Sequence, residues 1–103
     1  MNALHIDTSD NKNIVVRIVK GDKNFELKSI ANKDKAQAAL PLIEKLLKDA
    51  KLKASQIEEI NVNPGPGSFT GLRVGVAIAN ALSFGLQVKI NGKKAGELVT
   101  PTY

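Results

Sequence analysis

Apolar and polar residues alternate in short runs along the first part of the chain and indicate strands. ALHI and its neighbours, residues 2–6, predict a buried strand that ends at the polar turn DTSD. IVVRIV, residues 14–19, and FELKSI, residues 25–30, are joined by the turn KGDKN. Because β-branched runs joined by a short turn with glycine are typical of hairpins, we expect these two strands to pair.

The period changes to that of a helix from Asp34 onward. Apolar residues then recur at intervals of three and four, which predicts an amphipathic helix of about 17 residues. They are Ala36, Ala39, Leu40, Ile43, Leu47 and Ala50. Pro41 lies inside this segment and has no amide to bond back to Gln37, so we expect a bend near the first turns. In the alternative, the regular helix begins just before Pro41, after a looser lead-in over residues 34–39.

A second helix is predicted over residues 68–86, after a short strand centred on residues 60–62 and a turn rich in glycine and proline. Ser68 can cap its N-terminus, because the hydroxyl can accept an otherwise unpaired amide of the first turn. Between residues 71 and 86 the only polar side chains are Arg73, Asn80 and Ser83. A helix packed on one sheet should be polar over almost half of its circumference. One sheet therefore cannot cover all the apolar sides of this helix.

Small residues form a regular row on the second helix. Gly71, Gly75, Ala79 and Ser83 follow one another at steps of four residues and share one side. A side without bulky groups lets another helix approach closely, and each glycine inside a helix costs about 1 kcal/mol relative to alanine. We therefore expect this row to receive a helix of a partner protein. In the alternative, the row lies against the protein's own sheet or first helix.

The order of these elements predicts an α/β fold with a mixed sheet. QVKIN, residues 87–91, indicates a further strand, NGKK a turn and ELVTPTY a final extended segment. Both helices should pack on the sheet. The portion from residue 60 to residue 90 should form a right-handed parallel crossover.

Length and composition limit the classes of protein that fit. The 103 residues have room for one domain, and a hydrophobic fraction of 43% with 24% charged residues is ordinary for a globular protein. No cysteine is present, which excludes disulfides and thiolate ligands and favours a reducing compartment. MNALHIDTSD lacks the regions of a signal peptide, and Arg73, Asn80 and Ser83 interrupt the longest apolar stretch. We expect a soluble, cytoplasmic protein without a membrane contact.

The net charge adds one weak expectation. A charge of +5 attracts RNA. The lysines are dispersed from Lys12 to Lys94, however, and the few aromatic residues do not lie between them as a base-stacking surface would need. We expect weak or indirect contact with tRNA or another RNA, without readout of its sequence.

The glycine turn before the second helix is a candidate anion or nucleotide site, because free amides and the helix dipole attract anions at a helix N-terminus. The candidate residues are Asp7, Ser9, Gly65, Gly67, Ser68 and Arg73. The Walker pattern is absent, since Gly71 is followed by leucine and arginine, and the dinucleotide fingerprint fails on glycine spacing. A tight strand-to-helix turn is the favoured alternative. Asp7 can equally close an Asx-turn.

The remaining residues indicate neither a catalytic nor a metal site. His5 is the only histidine and lies within the first strand. A metal site would have to be assembled from scattered carboxylates, and a serine hydrolase triad cannot be completed around this histidine. We expect no catalytic residue and no metal ligand in this chain.

Three segments together resemble the TsaB family, also called YeaZ. GPGSFTGLRVGVAIANALSFGL, residues 65–86, is similar to the family's hallmark segment. HIDTSD resembles its opening strand and turn, and ALPLIEKLLKDAKL resembles its first helix with the internal proline. TsaB proteins are the bacterial scaffold proteins of the machinery that makes threonylcarbamoyladenosine in tRNA.

The resemblance implies a single ribonuclease H-like domain of the actin/Hsp70 (ASKHA) type, an α/β fold with a mixed five-stranded sheet and two main helices. Family members usually carry a second domain after the strand that here is QVKIN. We therefore expect residues 1–103 to be a TsaB N-terminal-like domain in which the second family domain is absent.

The resemblance also implies a partner and a surface. In the family, the first and second helices pair with equivalent helices of TsaD, the catalytic paralogue, and the same surface supports homodimers. The corresponding interface residues are Leu40, Ile43, Leu47, Gly71, Val74, Gly75, Ile78, Ala79 and Leu82. ATP and a metal are expected in the partner enzyme, with no cofactor in this chain, and a TsaE-type ATPase can join the assembly.

The resemblance thus predicts a noncatalytic partner subunit of a TsaD-type enzyme. Two alternatives remain open. The first is a nucleotide-binding protein that uses Asp7 and the turn from Gly65 to Gly67. The second is a stand-alone homodimer with a regulatory role.

Overall fold

The computed structural model describes residues 1–10, 12–30 and 35–103, and for residues 35 and 36 it describes the backbone alone. These residues form a five-stranded sheet in the order β3-β2-β1-β4-β5, with two α-helices. The elements are β1 (Asn2–Asp7), β2 (Asn13–Lys20), β3 (Lys23–Ile30), α1 (Lys35–Asp49), β4 (Glu59–Val62), α2 (Phe69–Leu86) and β5 (Lys89–Ile90). A 3-10 turn, Ala54–Gln56, precedes β4.

Strand pairing confirms the predicted mixed sheet. β1, β2 and β3 form an antiparallel meander, and the β2–β3 hairpin turns between Lys20 and Lys23. β4 pairs in parallel with β1 on one side and β5 on the other. The predicted final segment ELVTPTY forms neither a helix nor a strand in the part of the chain that the structure describes.

Both helices pack on one face of the sheet. α1 lies over β2 and β3, α2 lies over β4, β1 and β5, and the helices contact each other. A single core unites them, in which Ala39 and Leu46 of α1 and Val76 of α2 join Leu4 and Ile60 of the strands. The alternation of side chains along each strand explains this core, because every second residue points to the same face.

Helix ends confirm part of the sequence analysis. Ser68 caps α2 as predicted, since its hydroxyl accepts a hydrogen bond from the amide of Gly71 at 3.3 Å. Pro41 lies inside α1 as predicted. The predicted helix start at Asp34 lies outside the described residues, as does the side chain of Ala36.

The opposite face of the sheet carries polar side chains. Glu26, Arg17, His5 and Asn61 follow one another across β3, β2, β1 and β4 in direct register. They line a cavity of about 360 Å³ on this face. Burial lowers the pKa of His5 below its ordinary 6.5, the charge of Arg17 lowers it further, and Glu59 opposes both.

Candidate functional site

α2 is apolar on sides that its own domain does not bury. Only six of its 18 residues are buried: Gly71, Leu72, Gly75, Val76, Ala79 and Ser83. Length and composition alone would also let α2 cross a membrane, a property that it shares with core helices of soluble proteins. Other parts of the chain cover some of the remaining sides of α2 and leave one side uncovered.

The inner side of α2 corrects the interface prediction. Gly71, Gly75 and Ala79 were predicted to face a partner, but they are buried within this domain. The hydroxyl of Thr8 donates a hydrogen bond to the carbonyl oxygen of Gly71 at 2.6 Å. A Cβ at Gly75 would overlap the Oγ1 atom of Thr8. The row of small residues therefore lets α2 approach the end of β1, which was the alternative interpretation.

Ile43 is a second correction. It was predicted to lie at the partner surface, but it is 5% exposed and belongs to the core under α1. The period of an amphipathic helix gives the angle between its residues, but it does not say where the buried stripe ends. Leu40, only three positions away in the chain, is 47% exposed, and Leu47 is half-buried.

The C-terminal segment covers one flank of α2. The side-chain Nδ2 of Asn80 donates a hydrogen bond to the backbone carbonyl oxygen of Val99 at 2.9 Å. The side-chain Oδ1 of Asn80 accepts one from the backbone amide of Val99 at 3.0 Å. The amide of Thr102 donates to the carbonyl oxygen of Pro64 at 2.6 Å. Two separate contacts thus hold this segment along the helix and the glycine turn. On another flank, Ile78 and Leu82 are half-buried and pack against the core.

Between these flanks lies a side of α2 that no described part of the chain covers. At 100° per residue, Thr70, Val74, Ala77, Ala81 and Gly85 fall at its centre, and the exposed Phe84 and Arg73 lie at its edge toward Asn80. The five central residues are exposed except the half-buried Val74, none of the five is charged, and a Cβ at Gly85 would meet nothing within 4 Å. We call these five residues the outer face. Small residues recur at steps of four on this side too, at Ala77, Ala81 and Gly85. The sequence therefore contains two rows of small residues on α2, and the sequence analysis recognised only the inner one.

Two residues of the candidate anion site, Asp7 and Ser9, lie at the end of β1 and in the loop after it, and they are hydrogen-bonded to each other. Asp7 Oδ1 accepts hydrogen bonds from the amide and the hydroxyl of Ser9 at 2.9 and 2.6 Å, and from Asn63 Nδ2 at 3.3 Å. Burial raises the pKa of Asp7, but these hydrogen bonds outweigh it and leave the pKa below the ordinary 3.8. The bond from the amide of Ser9 is that of an Asx-turn, which was the alternative for this residue.

The glycine turn packs tightly on the same loop. The amide of Ser68 donates to the carbonyl oxygen of Ser9 at 2.7 Å, and a Cβ at Gly67 would lie 2.6 Å from that oxygen. Gly65, with φ of 126°, abuts the carbonyl of Thr102. The structure thus brings Asp7, Ser9 and the turn together, yet their polar atoms hold protein groups. The amides of Ser9, Gly65 and Ser68 already bond to protein oxygens, which favours the alternative of a tight strand-to-helix turn, and nucleotide binding stays an untested prediction.

Arg73 lies against the ring of Phe69. Its guanidinium carbon is 5.3 Å from the ring centroid of Phe69. The ring of Tyr103 also contacts Phe69, with 4.4 Å between the two ring centroids. The sequence analysis placed Arg73 at the anion site and did not single out either ring. Within residues 1–10, 12–30 and 35–103, no three His, Asp or Glu side chains are arranged to hold a metal ion.

Comparison with known proteins agrees with this geometry. The family model described as "TsaD: tRNA N6-adenosine threonylcarbamoyltransferase" matches residues 27–92. The chain is 33% identical over 87 residues to the tRNA threonylcarbamoyladenosine biosynthesis protein TsaB of Haemophilus influenzae, covering 84% of this chain and 36% of that protein. It is 30% identical over 115 residues to TsaB of Bacillus subtilis, covering 100% of this chain and 50% of that protein. YeaZ from Pseudomonas aeruginosa superposes with a TM-score of 0.81 at 28% identity, covering 86% of this chain and 41% of that one.

The chain belongs to the TsaB (YeaZ) family. The fold prediction is confirmed, since the mixed five-stranded sheet with two helices matches the YeaZ structure. The chain spans between 36% and 50% of the length of these two TsaB relatives. The expected absence of a second domain therefore stays a prediction.

Proposed function

We propose that this TsaB-family chain is a noncatalytic subunit that binds a TsaD-type enzyme through the outer face of α2 and the exposed side of α1. In this proposal the complex carries out threonylcarbamoyladenosine formation in tRNA in the cytoplasm. ATP and a metal belong to the enzyme, and a TsaE-type ATPase can join the assembly. The match to a threonylcarbamoyltransferase family model and the names of the TsaB relatives support the pathway.

The observation that carries the proposal is the uncharged, uncovered outer face. A surface helix of a monomeric globular protein would be expected to expose charged and polar residues to water on this side. Here Ala77, Ala81 and Gly85 leave a shallow surface on which another helix can lie close to the α2 backbone. Leu40 on α1 adds a large apolar side chain that is 47% exposed. Burial of such surface stabilises a complex by about 25 cal/mol per Å² before the cost of association is subtracted.

The corrected interface is smaller than the one predicted. Leu40, Leu47, Val74, Ile78 and Leu82 remain candidates because each is exposed or half-buried. The outer-face alanines and Gly85 replace the buried glycines of the inner row. Contact with a partner then requires no rearrangement of the core.

A homodimer uses the same surface in the absence of the enzyme. Two copies related by a two-fold axis bring identical faces together. Because none of the five outer-face residues is charged, such pairing meets no like-charge repulsion among them. We propose that this homodimer competes with the complex, so addition of the TsaD-type protein should replace it.

A charge placed on the outer face tests the proposal. Ala81→Glu puts a carboxylate at an exposed helix position, which should leave the fold intact, and Ala54→Glu makes the same change at the exposed 3-10 turn. Calorimetric titration into the cognate TsaD-type protein should show affinity reduced at least tenfold for Ala81→Glu, because the partner would bury an unpaired charge. Ala54→Glu should bind like the unaltered chain. Equal affinities for both variants would show that α2 is not the binding surface.

A further inference from the structure

An aromatic cluster with an arginine lies at the start of α2, where the sequence shows only separated residues. The rings of Phe69 and Tyr103 lie 4.4 Å apart between centroids, with 30° between their planes. The guanidinium of Arg73 lies one helical turn on, 5.3 Å from the centroid of Phe69. We call these three residues the aromatic cluster.

The cluster is held in place and yet open. Ser68 fixes the start of the helix at Phe69, and the hydrogen bond from Thr102 to Pro64 fixes the chain just before Tyr103. Each ring nevertheless remains 56% exposed, and Arg73 is exposed as well. A pair of rings that served only to anchor the C-terminal segment would gain more from full burial. The cluster instead presents aromatic surface beside a cation.

Two exposed rings beside a guanidinium have the chemistry of a site for single-stranded nucleic acid. Unpaired bases stack on aromatic side chains and on arginine, and the guanidinium can also pair with a phosphate. The net charge of +5 attracts a polyanion to the whole molecule. An acidic protein segment could also bind to the positive charge of Arg73 and the lysines, but the exposed rings of Phe69 and Tyr103 would add nothing to that binding.

We propose that the aromatic cluster binds unpaired nucleotides of an RNA loop. The inference rests on the proposed function, because tRNA is the substrate in that proposal. It replaces the expectation of diffuse attraction by lysines with a defined contact at Phe69, Arg73 and Tyr103. Stacking tolerates any base, so the site holds the loop without reading its sequence.

Binding of a labelled RNA hairpin with an adenine-rich unpaired loop, followed by fluorescence anisotropy, tests this site on the chain itself. Phe69→Leu and Tyr103→Leu keep apolar packing between the two positions but remove a stacking surface, and each should weaken binding about tenfold. Phe84→Leu is the matched control. Phe84 lies on the same helix and is 67% exposed, but no ring or guanidinium pairs with it among the described residues. Tyr103→Trp should bind at least as tightly as tyrosine.

Tyrosine fluorescence gives a second readout of the contact. Tyr103 is the only tyrosine and the chain has no tryptophan, so its emission reports on the cluster alone. Stacking of a base should quench this emission in step with the anisotropy change. Arg73→Gln should reduce the slope of log affinity against log salt by about 1, as expected for one lost phosphate contact.

Several results would overturn the inference and can be told apart from failure of the proposed function. Absence of hairpin binding, or equal losses in Phe69→Leu and Phe84→Leu, would exclude a stacking site. A hairpin with a fully paired stem and a minimal loop that bound equally well would do the same. If Phe69→Leu weakened binding to the TsaD-type protein rather than to RNA, the cluster would be a protein contact. Complex formation without RNA tests the proposed function independently.

Discussion

Gly75 illustrates how one missing side chain sets the position of a helix. The glycine lies against the buried Thr8, which directly follows β1 and whose hydroxyl donates a hydrogen bond to the carbonyl oxygen of Gly71 in α2. In an exposed helix, glycine to alanine stabilises by about 1 kcal/mol. At Gly75 this gain is outweighed, because the new methyl group has to displace a short, branched and buried side chain.

We therefore expect opposite effects at two glycines of the same helix. Gly75→Ala should lower the free energy of unfolding by about 2 kcal/mol through overpacking. Gly85→Ala, where a Cβ meets nothing within 4 Å, should raise it by a few tenths to about 1 kcal/mol. Urea unfolding of both variants measures the difference. Equal effects would contradict the assignment of the inner row to the domain's own packing.

Asp7 predicts a stability change with pH. Its pKa is held below 3.8 in the folded state, so its stabilising contribution is present above that value and is lost as the pH falls through the lowered folded pKa. Asp7→Asn should reduce stability by about 1 kcal/mol at neutral pH, with allowance for the partial exposure of this carboxyl group. In urea unfolding, the difference from the unaltered chain should shrink as the pH falls below the ordinary carboxyl pKa of 3.8. A difference that did not depend on pH would show that the ionised carboxylate is not what the loop stabilises.

Residue-scale features were partly predictable from the sequence. Ser68 was identified as a cap because the preference for hydroxyl residues at this position is local. The assignment of Gly75 to a partner was wrong because spacing places residues on one side of a helix without saying what lies there. Asp7 left two interpretations open, and only the positions of Ser9 and Asn63 favour one of them.

At the scale of elements, α2 has a different neighbour on each side. The sheet covers one side, α1 and the C-terminal segment cover the flanks, and the outer face remains. Leu72 and Val76 are buried while Val74, Ile78, Leu82 and Leu86 are only half-buried, so apolar residues lie on more than one side of this helix, as the sequence analysis expected. The contact between Asn80 and Val99 could not be predicted from the sequence, because no local pattern around a polar helix residue indicates which distant backbone group it will bind.

The Asn80 contact predicts how firmly the C-terminal segment is held. Asn80→Ala removes both hydrogen bonds to Val99 and should leave a buried backbone amide unpaired. We expect a loss of about 1–3 kcal/mol in the free energy of unfolding and faster hydrogen exchange at the amide of Val99. Asn24→Ala, at an exposed position of β3, is the control and should change neither. Unchanged hydrogen exchange at the amide of Val99 in Asn80→Ala would show that Asn80 does not hold the C-terminal segment.

On the scale of the whole molecule, the fold was predictable because two sources agreed. Apolar periodicity gave the strands and helices, and the resemblance of residues 65–86 to TsaB gave their arrangement. β5 is shorter than predicted, with two residues, because it pairs only with the first half of β4. The aromatic cluster joins two residues at the start of α2 to Tyr103, far away in the sequence, which no local pattern could reveal.

The central claim is that the outer face of α2 is the surface that meets a TsaD-type enzyme. The chain has no cysteine, so Ala81→Cys and Ala54→Cys each introduce a single thiol at an exposed position. The measurement is the rate of labelling of each thiol by a maleimide, alone and with saturating TsaD-type protein. The account predicts that the partner slows labelling at position 81 at least tenfold and leaves position 54 unchanged. Unchanged labelling at position 81 in a complex shown to form would contradict it.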